Sequence, residues 1–218
     1  NHLSHPHYMG HQVAVPQDLS GIPELIHGTI NNPSSLYEMG PAGATAEGFM
    51  INWMLDKVGW LDGRESYDFH FQPGKASGLL THGGSVANLT ALAAARASIA
   101  PEAWVEGNPT DLVVIGAASA HYSIARALSI LGLGKKAFYP VAVDENEVLR
   151  IDQLEGVYQQ AIADGKRVMC VVANACATSS GLFDPIDAMG DFCQHHQLWF
   201  HVDGAHGAAV LASEHNAH

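Results

Sequence analysis

From Gly78 onward, short apolar runs rich in β-branched residues alternate with segments of helical spacing, and this alternation constrains the fold more than any other feature of the chain. Strands joined by helical crossovers form a largely parallel sheet with helices packed on it, so the expected class is α/β. The pattern predicts strands over 111–116, 137–143, 167–174 and 198–202. The stretch Arg167 to Asn174 is the clearest, a continuous apolar run entered from Asp164-Gly165-Lys166. Helices are predicted over 87–97, about 122–131 closing on Gly132, and 151–163. A further helix is predicted from Asp184-Pro185 to about His196, with Asp184 as its cap and Pro185 in its first turn. Asp203 then stands at the C-terminal end of the last strand, where open α/β sheets bind their ligands.

Residues 1–75 read differently. They are rich in Pro, Gly and Asn, hold one good helix candidate at about 45–57, and show no repeating β-α units. They are expected to form an arm or small subdomain beside a main domain over 76–218. With 218 residues and 47% hydrophobic content the chain can bury a substantial core. Ten basic against 22 acidic residues give a formal charge of −12, which argues against nucleic acid or an anionic membrane as a main partner. No apolar run approaches the length of a membrane span, and the first residues are polar and histidine-rich, unlike a signal peptide. Cys170, Cys176 and Cys193 are odd in number and lack C-x-x-C spacing, which reads as reduced, buried thiols and a cytoplasmic location. Asn1 in place of an initiator Met, and the polar stretch 213–218, lead to the expectation that the chain is cut from a longer one.

The run Gly78 to Leu92 takes an apolar stretch through Thr81-His82-Gly83-Gly84-Ser85 into a strong helix former. Gly83 and Gly84 let the backbone approach a ligand, and Ser85 offers a cap and a hydroxyl. An anion placed there meets free N–H groups and the positive end of the helix dipole. The same residues are compatible with a plain capped helix start. Neither G-x-G-x-x-G nor G-x-x-x-x-G-K-[ST] is present, so the anion belongs to a ligand other than those these motifs hold.

Three other positions carry chemistry. Asp203 is followed by Gly204-Ala205-His206-Gly207, small residues that leave room for a flat ligand, and a carboxylate in such a place needs a cationic or N–H partner. A protonated ring nitrogen of a cofactor fits, and so does the ordinary role of an aspartate capping the next helix. His121, just after the strand that ends at Gly116, is placed to stack on an aromatic ring or relay protons, or to serve as a structural histidine. Thr178 lies in the polar loop Asn174 to Gly181, which also reads as a Ser/Thr-rich turn. All four signals fall at predicted C-terminal strand ends or in the loops that follow, and together they describe one site.

Four blocks, in order and spacing, resemble the group II pyridoxal-phosphate-dependent amino-acid decarboxylases, the family of the glutamate, aromatic-amino-acid and diaminobutyrate decarboxylases. They are Thr81 to Asn88, Ser119 to Ser123, Ala173 to Thr178 with Phe183-Asp184-Pro185-Ile186, and His201-Val202-Asp203-Gly204-Ala205-His206-Gly207. The resemblance extends to His5 through His11, to Asn31-Asn32-Pro33 and to Tyr37 through Pro41, so it spans nearly the whole chain. It implies the type I pyridoxal-phosphate-dependent transferase fold, a homodimer with its active sites at the subunit interface, and decarboxylation of an L-amino acid to an amine and carbon dioxide. Gly84 and Ser85 would hold the cofactor phosphate, and His121 would stack on the pyridine ring. Asp203 would pair with the ring nitrogen, Ala205 would lie on the ring's other face, and Thr178 would sit near the phenolic oxygen or the substrate carboxylate. No metal is implied.

The family's Schiff-base lysine follows a histidine beyond the His-Val-Asp block, and none of Lys57, Lys75, Lys135, Lys136 or Lys166 follows a histidine or lies downstream of Asp203. That lysine and the C-terminal small domain are expected beyond His218. His82 is a smaller departure, since many relatives carry serine there. The competing readings are another type I pyridoxal-phosphate lyase or an oxidative deaminase, a non-catalytic fragment, and a metal site from His2, His5, His7 and His11.

Overall fold

The protein is described here by a computed structural model covering residues 5, 7–8, 17–33, 36–61, 63 and 73–213. His2 and His11 of the histidine-rich segment lie outside these residues. The chain divides into two compact units, 1–78 and 79–218.

Among its described residues the first unit holds two helices where one was expected. Helix α1 (Gly21–Ile30) buries none of its residues and ends on Asn31, whose left-handed backbone (φ 51°) turns its N–H onto the His27 carbonyl. Gly21, Pro23 and Gly28 hide it from a propensity reading. Helix α2 (Pro41–Lys57) starts four residues before its predicted boundary, because Pro41 occupies the first turn, where its fixed φ suits a helix and its missing N–H costs nothing.

The second unit is a four-stranded, wholly parallel sheet in the order β2–β1–β3–β4. The strands are β1 (Leu112–Ala117), β2 (Phe138–Val141), β3 (Arg167–Asn174) and β4 (Trp199–Asp203). β1 is buried along its whole length and β3 at every residue after Arg167, as strands covered on both faces are. Helix α3 (Gly84–Ile99) runs into the short turn α4 (Ala103–Glu106) and packs against α5 (Ser123–Ile130), β3 and β4. Helices α6 (Ile151–Ala163) and α7 (Ile186–His196) meet through the rings of Tyr158, Phe192 and His196. Leu92, Ile115, Ile124, Leu128, Leu154 and Met169 are among the fully buried core side chains.

β2 is shorter than predicted because the chain turns back after it. The Asp144 carboxylate accepts the N–H groups of Asn146 and Val148, each at 2.9 Å, and closes that turn. Two expected caps are also corrected. The residue preceding α3 is Gly83 (φ 85°), the helix has no side-chain cap, and Ser85 is its second residue. α7 is entered through Pro185, while the buried Asp184 carboxylate accepts the backbone N–H groups of Leu149 (2.9 Å) and Asn174 (2.7 Å). Asp184 therefore ties the end of β3 to the segment before α6, which satisfies two buried donors more effectively than capping an exposed turn.

The three cysteines are free and buried. Burial pushes the Cys193 thiol up to about 12, and raises that of Cys170 as well. Among the described residues no helix is long and apolar enough to cross a membrane.

Candidate active site

Side chains alternate along a strand, so His201 and Asp203 of β4 project to the same side of the sheet. That side is covered by α3, and Asn88 of α3 meets both. The Asn88 Nδ2 group donates to Asp203 Oδ2 at 2.8 Å, and its Oδ1 lies 2.8 Å from His201 Nε2. The same Nδ2 donates to Ser123 Oγ at 2.9 Å, and Ser123 Oγ lies 2.7 Å from His121 Nδ1. Segments from three parts of the chain thus join in one polar chain at the C-terminal end of the sheet. The His121 ring also rests on Tyr122, with centroids 4.1 Å apart. Burial holds the His201 imidazole below its ordinary value, while the charge of Asp203 pulls the other way.

Asp203 is half-buried, and its partners within the second unit are neutral N–H groups. Besides Asn88, the Ala205 N–H reaches Oδ1 at 3.2 Å. A carboxylate has about four lone-pair directions, so room remains for a further N–H donor. Above it lies a cavity of about 270 Å³ lined by residues that include Thr81, Gly83, Gly84, Asn88, Asp203 and Ala205. The glycine turn is what keeps this space open: a Cβ on Gly84 would stand 2.8 Å from the Ala205 methyl.

Gly84, Asp203 and Ala205 therefore line one cavity. Ser85 follows in the first turn of α3, and His121 is joined to the cavity through Ser123 and Asn88 without lining it. Thr178 stands exposed in the turn after β3 and does not line the cavity. Its loop is tied to the same end of the sheet, since Ala175 N–H donates to Asp203 O at 2.8 Å and Gly207 N–H to Ala175 O at 2.9 Å. Sequence reasoning missed Asn88, Ser123 and His201. Two local signals pointed to them: Asn88 lies one helical turn after Gly84, and His201 lies two strand positions before Asp203.

A second cavity, of about 630 Å³, opens beside Leu112, Phe138, Tyr139 and Lys166 at the N-terminal ends of the strands. It contains none of the residues singled out above, and it lies at the end of the sheet opposite to the one open α/β sheets use for ligands. Among the described residues no group of three His, Cys, Asp or Glu side chains is arranged to hold a metal ion.

The sequence matches the pyridoxal-dependent decarboxylase conserved domain over residues 1–218. The chain belongs to that family. It is similar to L-2,4-diaminobutyrate decarboxylase of Acinetobacter baumannii, with 28% identity over 97% of this chain and 42% of the relative. It is likewise similar to cysteine sulfinic acid decarboxylase of Mus musculus, with 32% identity over 93% of this chain and 38% of the relative. Among solved structures, mouse CSAD matches with a TM-score of 0.83 and 30% identity, over 93% of this chain and 40% of that one. The glutamate decarboxylase domain of a Vibrio parahaemolyticus protein matches with a TM-score of 0.80 and 28% identity. The chain spans about 40% of the length of these relatives. The fold expected from the resemblance, the type I pyridoxal-phosphate fold with a mostly parallel sheet flanked by helices, is the one observed.

Proposed function

We propose that the protein of which this chain is part decarboxylates an L-amino acid to an amine and carbon dioxide with pyridoxal 5′-phosphate as cofactor. The observation that carries the reading is the cavity in which the uncapped N-terminus of α3 and the Asp203 carboxylate face one space. Its donor set fits the group. A phosphate needs free backbone N–H groups at a helix start, and a pyridine nitrogen that is to stay protonated needs a carboxylate. The space at Gly84 is one that a single Cβ would fill.

On this reading Gly84 and Ser85 hold the phosphate through the first amides of α3 and the Ser85 hydroxyl, helped by the helix dipole. Asp203 keeps the proton on the ring nitrogen, and each unit by which it raises the ring's pKa stabilises the protonated form by about 1.4 kcal/mol. His121, joined to Asp203 through Ser123 and Asn88, would support one face of the ring and Ala205 the other, and Thr178, which lies outside the cavity in the loop after β3, would serve the phenolic oxygen or the substrate carboxylate. When bound, the cofactor supplies the electron sink for the pair left behind as carbon dioxide departs. We further read residues 1–75 as a substrate-side arm and 76–218 as the cofactor-binding large domain, in a cytoplasmic homodimer. The identity of these relatives and the acidic net charge of −12 support a small-molecule partner rather than nucleic acid.

The test is product analysis. Full-length protein loaded with pyridoxal phosphate is incubated with acidic, aromatic and diamino L-amino acids, and carbon dioxide and amine are quantified. Equimolar amine and carbon dioxide from one substrate class are expected. Aldehyde or ammonia in their place, or no turnover of any amino acid, overturns the reading.

A further inference from the structure

We propose that Asn88 is the positioning residue of this site, a single side-chain amide that fixes the Asp203 carboxylate and the His121 ring together, with His201 as its anchor. The directions of the hydrogen bonds are fixed by which groups can only accept. A carboxylate only accepts, so the Asn88 group 2.8 Å from Asp203 Oδ2 is the NH₂. A flipped amide would set two acceptors against each other at that distance. The oxygen is thereby turned to His201, whose Nε2 donates to it across 2.8 Å. Ser123 Oγ receives the second Asn88 proton, so its own proton is free to go to His121 Nδ1 at 2.7 Å. The Ser123 backbone N–H points at the same nitrogen, at 3.3 Å. His121 Nδ1 is therefore an acceptor, and the ring carries its proton on Nε2.

Each member thus has one permitted orientation. Asn88 and Ser123 are almost completely buried, 3% and 1% exposed, so water does not stand in for a lost partner. Asn88 also sits on the helix whose first residues form the glycine turn, one turn below Gly84. The anion-binding end of α3, the carboxylate and the imidazole are consequently set by one rigid element. In its relation to the cofactor the inference rests on the decarboxylase reading, whereas the bond directions do not.

The experiment uses full-length protein labelled with ¹⁵N-histidine. Side-chain NMR without cofactor is expected to report His121 and His201 as Nε2–H tautomers. Ser123→Ala removes the closer of the two donors to His121 Nδ1 and leaves only the backbone N–H at 3.3 Å, so the Nε2–H population of His121 is expected to fall while His201 is unchanged. Pyridoxal-phosphate affinity, measured by equilibrium dialysis, is expected to fall about 10-fold or more in Asn88→Ala and further in the isosteric Asn88→Asp, which turns acceptors toward Asp203. His121 found as Nδ1–H in the wild type, or wild-type affinity in Asn88→Asp, overturns the proposal. Should the Asn88 variants not fold, the Ser123→Ala tautomer shift decides it. A wild-type protein that binds no pyridoxal phosphate refutes the decarboxylase reading, while the tautomers still decide the network.

Discussion

Gly84→Ala isolates the geometry of the cavity from the stability of the fold. The added Cβ would lie 2.8 Å from the Ala205 methyl, whereas carbon atoms in contact sit about 3.5–4.0 Å apart, so the turn and the Ala205 loop must separate by about 1 Å. A displacement of about 1 Å takes a hydrogen bond of about 2.9 Å out of range. Losing one bond to a charged group costs about 1.5–3 kcal/mol, which is about 10- to 150-fold in cofactor affinity. Stability moves less, because overpacking costs about 1–3 kcal/mol while replacing a helical glycine returns about 0.5–1 kcal/mol. Equilibrium dialysis with pyridoxal phosphate beside thermal unfolding separates the two. Adding Ala205→Gly removes the clash and is expected to recover much of the affinity, so the pair is strongly non-additive. Wild-type affinity in Gly84→Ala, or strict additivity in the double variant, refutes the reasoning.

Asp184→Ala leaves the buried N–H groups of Leu149 and Asn174 without acceptors, and a loss of about 3 kcal/mol or more is expected in denaturant unfolding. A simple helix cap at this position would cost about 1 kcal/mol, so the size of the loss distinguishes the two roles. His201 binds its proton more weakly in the folded protein than in the unfolded chain, so the unfolded state takes up protons first as pH falls below about 6.5. Its contribution to stability is complete above that value and is lost toward lower pH. Melting temperatures over about pH 5–8 are expected to fall more steeply on the acid side in the wild type than in His201→Gln, which keeps an N–H donor but does not titrate; equal slopes refute this.

Strands and helices were legible wherever one period ran uninterrupted. β3 and α6 begin and end where the apolar run Arg167 to Asn174 and the helical spacing Ile151 to Ala163 place them. α1 does carry an apolar stripe, Ile22, Leu25, Ile26 and Ile30 at helical spacing, but it is short and broken by Gly21, Pro23 and Gly28, and in the structure it stays exposed. Asp184-Pro185 carries the local signature of a helix start, yet the aspartate is used elsewhere because two buried amides 35 and 10 residues away have no other acceptor. The cavity residues Gly84, Asp203 and Ala205 each had an ordinary reading as well, and they were legible because several such signals fall together at predicted strand ends and within blocks that resemble one family. Asn88, Ser123 and His201 were not, since their meaning lies in one another and a lone polar residue in a helix or strand has many ordinary explanations.

The bond between Asn88 and Asp203 spans 115 residues of sequence, and that between Asn88 and His201 spans 113. Chains are synthesised at about 5–20 residues per second, so Asn88 is made roughly 6–23 s before Asp203. During that interval α3 exists without the carboxylate that orients its amide or the histidine that receives it. The polar chain that joins α3 to the sheet therefore closes only once β4 has been made and has docked beside β3.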